Sequence, residues 1–124
     1  MMGKEMNIYE SAEDYLEAIL MLKNEKGYAQ SVDIAARLNV TKPSVSFAMK
    51  RLRENGYILM DEESLITLTD RGEEIASKIY ERHTVLSRFL MQLGVSEQTA
   101  RADACRMEHD ISQETLEAIR RQID

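Results

Sequence analysis

Two short apolar repeats on either side of a three-residue turn set the tightest limit on how this chain can fold. Ile34, Ala35 and Leu38 have helical spacing, Asn39-Val40-Thr41 follows, and Val45, Ala48, Met49 and Leu52 resume the pattern. Neither run is long enough to hold a helix alone, so each must bury its apolar side against neighbours. The expected helices run from about Ser31 to Leu38 and from Lys42 to about Asn55. Thr41 can cap the second, Pro43 sits in its first turn where a missing N–H costs nothing, and Gly56 stops it. Two helices joined by so short a turn are the helix-turn-helix signature.

The flanking segments extend that motif. A helix is expected from Ser11 to about Glu25, with Ser11 as its cap and Tyr15, Ala18, Ile19 and Leu22 as its apolar face. After Gly56, the runs Tyr57–Met60 and Leu65–Thr69 surround the polar turn Asp61-Glu62-Glu63-Ser64 and read as a hairpin. Helix, helix, turn, helix and hairpin is the winged helix-turn-helix order. A long helix is then expected from Asp70 to about Leu93, another from Ser96 to about Asp110, and a last one from Ser112 to near Asp124. The fold class is therefore mainly α with a small β-hairpin wing. A winged helix-turn-helix domain (1–72) precedes an α-helical domain (73–124). A chain of 124 residues buries a modest core, and the stripe Ile75, Ile79, Leu86, Leu90 is consistent with a second subunit covering it. The chain ends in helical sequence without a terminator, which predicts a longer natural protein.

Charge is distributed unevenly. The net charge is −6, yet no acidic residue lies between Asp33 and Glu54, where Arg37, Lys42, Lys50, Arg51 and Arg53 all fall. One basic segment within an acidic protein points to nucleic acid at that segment only. The expected DNA contacts are Arg37, Thr41, Lys42, Pro43, Ser44, Ser46, Phe47, Lys50 and Arg51. Serines bond base edges or phosphates, the cations suit phosphates, and an outward Phe47 would touch thymine methyl groups; the plainer alternative places Phe47 in the core. Glu62 and Glu63 at the wing tip oppose phosphate, so the wing is expected to contribute little. No run of about 18 apolar residues exists, the N-terminus has no apolar signal-peptide core, and a single cysteine forbids an internal disulfide. A cytoplasmic protein with no membrane and no small organic substrate is expected.

The stretch Ala104-Cys105-Arg106-Met107-Glu108-His109-Asp110 holds the only cysteine and one of two histidines. On a helix, Cys105, Glu108 and His109 share a face. Thiolate, carboxylate and imidazole are donors for a divalent transition metal. His83, on the stripe of the long helix, is the obvious donor from a neighbour, and Asp14 and Glu17 offer two more oxygens. The alternatives are a buried apolar cysteine, packed histidines, and a solvated acidic face. No H-E-x-x-H motif and no nucleophile with a base is visible, so an enzyme is not expected.

The winged order, "YERHTVLSRFL" (80–90) and "ACRMEHDIS" (104–112) resemble the diphtheria-toxin-repressor family of metal-dependent bacterial repressors, over Tyr9 to about Ile119. The resemblance implies metal ligands at Asp14, Glu17, His83, Cys105, Glu108 and His109, and operator binding as a homodimer. "EDYLEAI" (13–19) resembles the manganese-sensing branch, whereas Cys105 resembles the iron-responsive branch. The ancillary site of the iron branch needs a glutamate at Ser87 and a histidine at Arg101, so it is expected to be absent. The expected function is metal-dependent repression controlling metal homeostasis, with Mn2+ or Fe2+ as cofactor and double-stranded operator DNA as partner. Zn2+ or Co2+ can also bind such donors in vitro. A metal-independent winged-helix regulator and a winged-helix protein-interaction module stay open at this point.

Overall fold

The computed structural model describes residues 2–123, with side chains from residue 12 onward. Its elements are α1 (Met2–Lys26), α2 (Ser31–Leu38), α3 (Lys42–Glu54), β1 (Ile58–Met60), β2 (Ile66–Leu68), α4 (Asp70–Gln92), α5 (Glu97–Met107) and α6 (Gln113–Gln122). They form two units, residues 1–77 and 78–124, divided within α4.

In the first unit one core gathers Leu16 and Ile19 of α1, Ile34 and Ala35 of α2, Val45, Met49 and Leu52 of α3, and Ile58 and Ile66 of the hairpin. Helix α1 starts ahead of the expected Ser11, and the cap expected there lies outside the described side chains. The turn between α2 and α3 closes at Asn39, which adopts the left-handed conformation with φ 55°, while Val40 N donates to Ala35 O at 3.1 Å. Asparagine tolerates this conformation better than most side chains. Thr41 Oγ1 then accepts from Ser44 N at 3.2 Å, the expected cap. The wing pairs Ile58 with Leu68 and Met60 with Ile66, antiparallel. Asp61 Oδ1 accepts from Glu63 N and Leu65 N, both at 2.9 Å, and so shapes the wing tip. Ile66 N donates to Ala29 O at 2.9 Å, which ties the wing to the segment between α1 and α2.

The start of α4 is fastened to the same unit. Arg71 lies 4.7 Å over the Tyr57 ring and donates to Asn55 O and to the Tyr57 hydroxyl. Beside it, Gly72 runs so close to Tyr57 that an added Cβ would lie 2.1 Å from the Tyr57 carbonyl oxygen.

In the second unit Val85, Leu86, Ala104 and Leu116 form a separate core, joined by Met107, Ile111, Ile119 and Ile123. Of the α4 stripe, Ile75 and Leu90 stay half-buried in the single chain, while the other two residues are covered within it. Leu86 is fully buried and Ile79 nearly so within the chain itself, because α5 and α6 cover Leu86. The large apolar side chains left open on and just after α4 are Tyr80 and Leu93. Helix α5 ends at Met107, three residues short of the expected limit, because Asp110 N turns back to Met107 O and Ser112 starts α6. None of the described helices is long and apolar enough to cross a membrane.

The Gly72 contact makes a prediction. Gly72→Ala must push backbone apart and should cost roughly 3 kcal/mol, as overpacking against an unyielding group does. Urea denaturation reads this as a lowered midpoint; an unchanged midpoint would contradict the close approach.

Candidate metal centre and nucleic-acid face

The second unit buries a carboxylate beside two imidazoles. Glu108 follows Met107 as the C-cap of α5 and keeps helical angles, so it stays in register with Cys105 one turn earlier. Its Oε2 lies 3.0 Å from His83 Nδ1, across to α4. Its Oε1 lies 3.7 Å from His109 Nε2, beyond hydrogen-bonding distance, and has no hydrogen-bond partner among the described residues. The Glu108 side chain is wholly buried, and those of His83 and His109 are 13% and 4% exposed. A buried carboxylate is costly unless its lone pairs are met by donors or by a cation.

Cys105 is exposed, which removes the reading of a buried apolar cysteine. Its Sγ lies within 4.8 Å of a Glu108 carboxylate oxygen. His83, Cys105, Glu108 and His109 thus lie close together in one unit and present nitrogen, sulfur and oxygen. Such a mixed set suits Fe2+, Mn2+, Co2+ or Zn2+ rather than the all-oxygen shell of Mg2+ or Ca2+. The unsatisfied Oε1 of Glu108 fits a cation as its missing partner.

One residue of this region escaped the sequence reading. Arg82 Nη2 donates to the Ile111 carbonyl oxygen and so holds the turn after His109 against α4. The only signal for it was an arginine next to His83 at the edge of an apolar stripe.

In the first unit, Asp14 and Glu17 lie three residues apart on α1 and share a face. Glu17 is 7% exposed and Asp14 is half-buried. Leu16 and Ile19, on the opposite side of the helix, enter the core with α2 and α3. Burial, and then the charge of Asp14, push the Tyr15 phenol above its ordinary pKa, so it stays neutral. Met21, one turn beyond Glu17, has its sulfur 3.5 Å from Arg37 Nη2.

Helix α3 presents a continuous exposed face of Lys42, Pro43, Ser44, Ser46, Phe47, Lys50 and Arg51, opposite buried Val45, Met49 and Leu52. Phe47 is 63% exposed, so it is an outward residue and not part of the core. The Arg51 guanidinium lies 5.7 Å from its ring centroid. Thr41 is occupied as the cap, donating also to Ser44 Oγ at 2.8 Å. Arg37 differs from the α3 residues, since its guanidinium pairs with Glu25 at 3.0 Å and so points to α1.

Similarity to known proteins follows the same two-part division. The family model "Iron dependent repressor, N-terminal DNA binding domain" matches residues 7–64. The model "Iron dependent repressor, metal binding and dimerisation domain" matches residues 69–124. The transcriptional regulator MntR of Salmonella typhimurium is 45% identical over 115 residues, covering 93% of this chain and 73% of that protein. Among solved structures, the manganese regulator SloR matches with TM-score 0.78 at 28% identity, over 90% of this chain and 52% of that one. IdeR of T. acidophilum matches with TM-score 0.80 at 27% identity, over 89% of this chain and 52% of that one. The chain spans about half the length of these two solved structures.

Proposed function

The chain belongs to the iron-dependent repressor family of metal-dependent transcriptional regulators, and from that premise we propose that it is a cytoplasmic repressor that binds operator DNA as a homodimer when loaded with Mn2+ or Fe2+. The residues that would hold the metal are Asp14, Glu17, His83, Cys105, Glu108 and His109. The observation that carries this reading is the buried Glu108 carboxylate between two imidazoles, with Oε1 unmatched by a hydrogen-bond donor among the described residues. Those donors fit a divalent transition ion.

Such an ion supplies two positive charges, against which the carboxylates of Asp14, Glu17 and Glu108 cease to repel one another. The chain's own residues do the rest. Glu108 is held in place by His83, and the Arg82 bond to Ile111 fixes the turn that carries His109. Asp14 and Glu17 are rigidly related to the recognition helix α3, because Leu16 and Ile19 behind them share a core with Val45, Met49 and Leu52. Fixing the acidic face of α1 therefore fixes α3. In a homodimer this selects one spacing of two recognition helices, and an operator with two half-sites accepts only that spacing. Lys42, Ser44, Ser46, Phe47, Lys50 and Arg51 would face the DNA.

Two predictions test this. Operator binding, titrated with Mn2+ and again in excess chelator, should differ by about 5- to 150-fold, the usual range of a coupling between two sites. Equal affinity in both would refute metal control. Second, Glu108→Gln should melt no lower than wild type in chelator, since it removes a buried charge, while losing the rise of a few degrees that saturating Mn2+ gives wild type. A retained metal-induced rise would take Glu108 out of the site.

A further inference from the structure

Phe47 is an anomaly in an otherwise polar face. It is 63% exposed on α3, flanked by Ser44, Ser46, Lys50 and Arg51, and it lies on the side of the helix opposite Val45, Met49 and Leu52. An exposed phenylalanine gains nothing from water, and this one covers no core residue. It is not loose either, since the Arg51 guanidinium sits over its ring at 5.7 Å. A cation stacked on one ring face restricts the ring and leaves its edge and other face open. The charge around it selects the class of surface it can meet. From Ile34 to Arg53 the chain carries only basic charges, Arg37, Lys42, Lys50, Arg51 and Arg53. That environment draws a polyanion to the ring.

On a helix that enters the major groove, side chains read donors, acceptors and one apolar group, the thymine C5-methyl. A benzene ring has no donor or acceptor for the first two. Its edge can gain only from the methyl, or lose by covering a polar base edge and leaving that unsatisfied. We infer that Phe47 is a specificity-determining residue that reads thymine methyl groups, so that each operator half-site carries a thymine beneath it. The inference rests on the operator-binding reading above and adds to it the base and the atom that are recognised. Arg51 is then a positioning residue for the ring as well as a phosphate contact.

The test separates the two. Duplexes are enriched from a random-sequence pool with the Mn2+-loaded wild-type protein. Each thymine of the enriched sequence is replaced in turn by uracil, which deletes the methyl and nothing else. At one thymine per half-site, wild type should lose about fourfold in affinity, the worth of one buried methyl, and about 15-fold when both half-sites are changed. Phe47→Ala, a change at an exposed position that leaves the core intact, should bind the thymine and uracil duplexes equally. Enrichment without any uracil-sensitive thymine overturns the inference and leaves operator binding standing. So does a Phe47→Ala protein that keeps the wild-type sensitivity. A pool that shows no enrichment overturns the operator-binding reading, and the inference with it.

Discussion

The core shared by α1 and α3 is the constraint on which the rest of the first unit depends. Leu16 and Ile19 are each 1% exposed and meet Val45, Met49 and Leu52 in one cluster. Burying side chains of this size contributes roughly 1.5–3 kcal/mol each, as an upper bound for a real denatured chain. Close packing also makes the two helices one body, because a packed interior resists small relative shifts. The consequence is directional. Whatever is done to the opposite face of α1, where Asp14 and Glu17 lie, is felt at the outward face of α3. An acidic patch and a basic patch sit back to back on one rigid block, so a response to a cation can become a response to a polyanion without either ligand touching the other.

The second unit poses the reverse problem, a charge kept inside. Glu108 is buried at the end of α5, where a helix C-terminus already carries partial negative charge and disfavours a carboxylate. One oxygen is met by His83; the other is not met by a hydrogen-bond donor among the described residues. A protein selected for stability alone would place an apolar residue here, as replacements of buried ionic groups show. The cost is acceptable where the group has work to do. The nearby thiol and second imidazole are donors of the kind that a divalent transition metal takes.

Much of this was legible in the sequence, and the reasons differ by element. Helices α2 and α3 stand where their apolar spacing and the Thr41 cap put them, since periodicity and capping are local. The hairpin was legible from β-rich runs around a polar turn. The start of α1 was not, because an N-cap residue such as Ser11 is equally acceptable inside a helix that has begun earlier. Whether the α4 stripe faced a second subunit or the same chain was also hidden. The pattern of Ile79 and Leu86 reports only that something covers them, and here α5 and α6 do so for Leu86. The direction of Phe47 was undecided for the same reason, and was resolved once Val45, Met49 and Leu52 filled the inner face. The role of Arg82 was hidden, because its partner is a backbone carbonyl 29 residues away.

Position 105 is where the local chemistry and the family pattern diverge. The first-helix residues Asp14 and Glu17 resemble the oxygen-bearing positions of the manganese-sensing branch, while a sulfur stands at Cys105. Divalent first-row metals differ little in charge, so a site discriminates among them through donor softness and geometry. A single thiol among oxygen and nitrogen donors shifts preference away from Mn2+, the weakest binder of the series, and toward later metals. Cys105 is also exposed, and its sulfur lies within 4.8 Å of a Glu108 carboxylate oxygen. The pull of a thiolate is stronger for Fe2+ than for Mn2+. A site that combined those oxygens with this sulfur would therefore carry opposing preferences for Mn2+ and Fe2+.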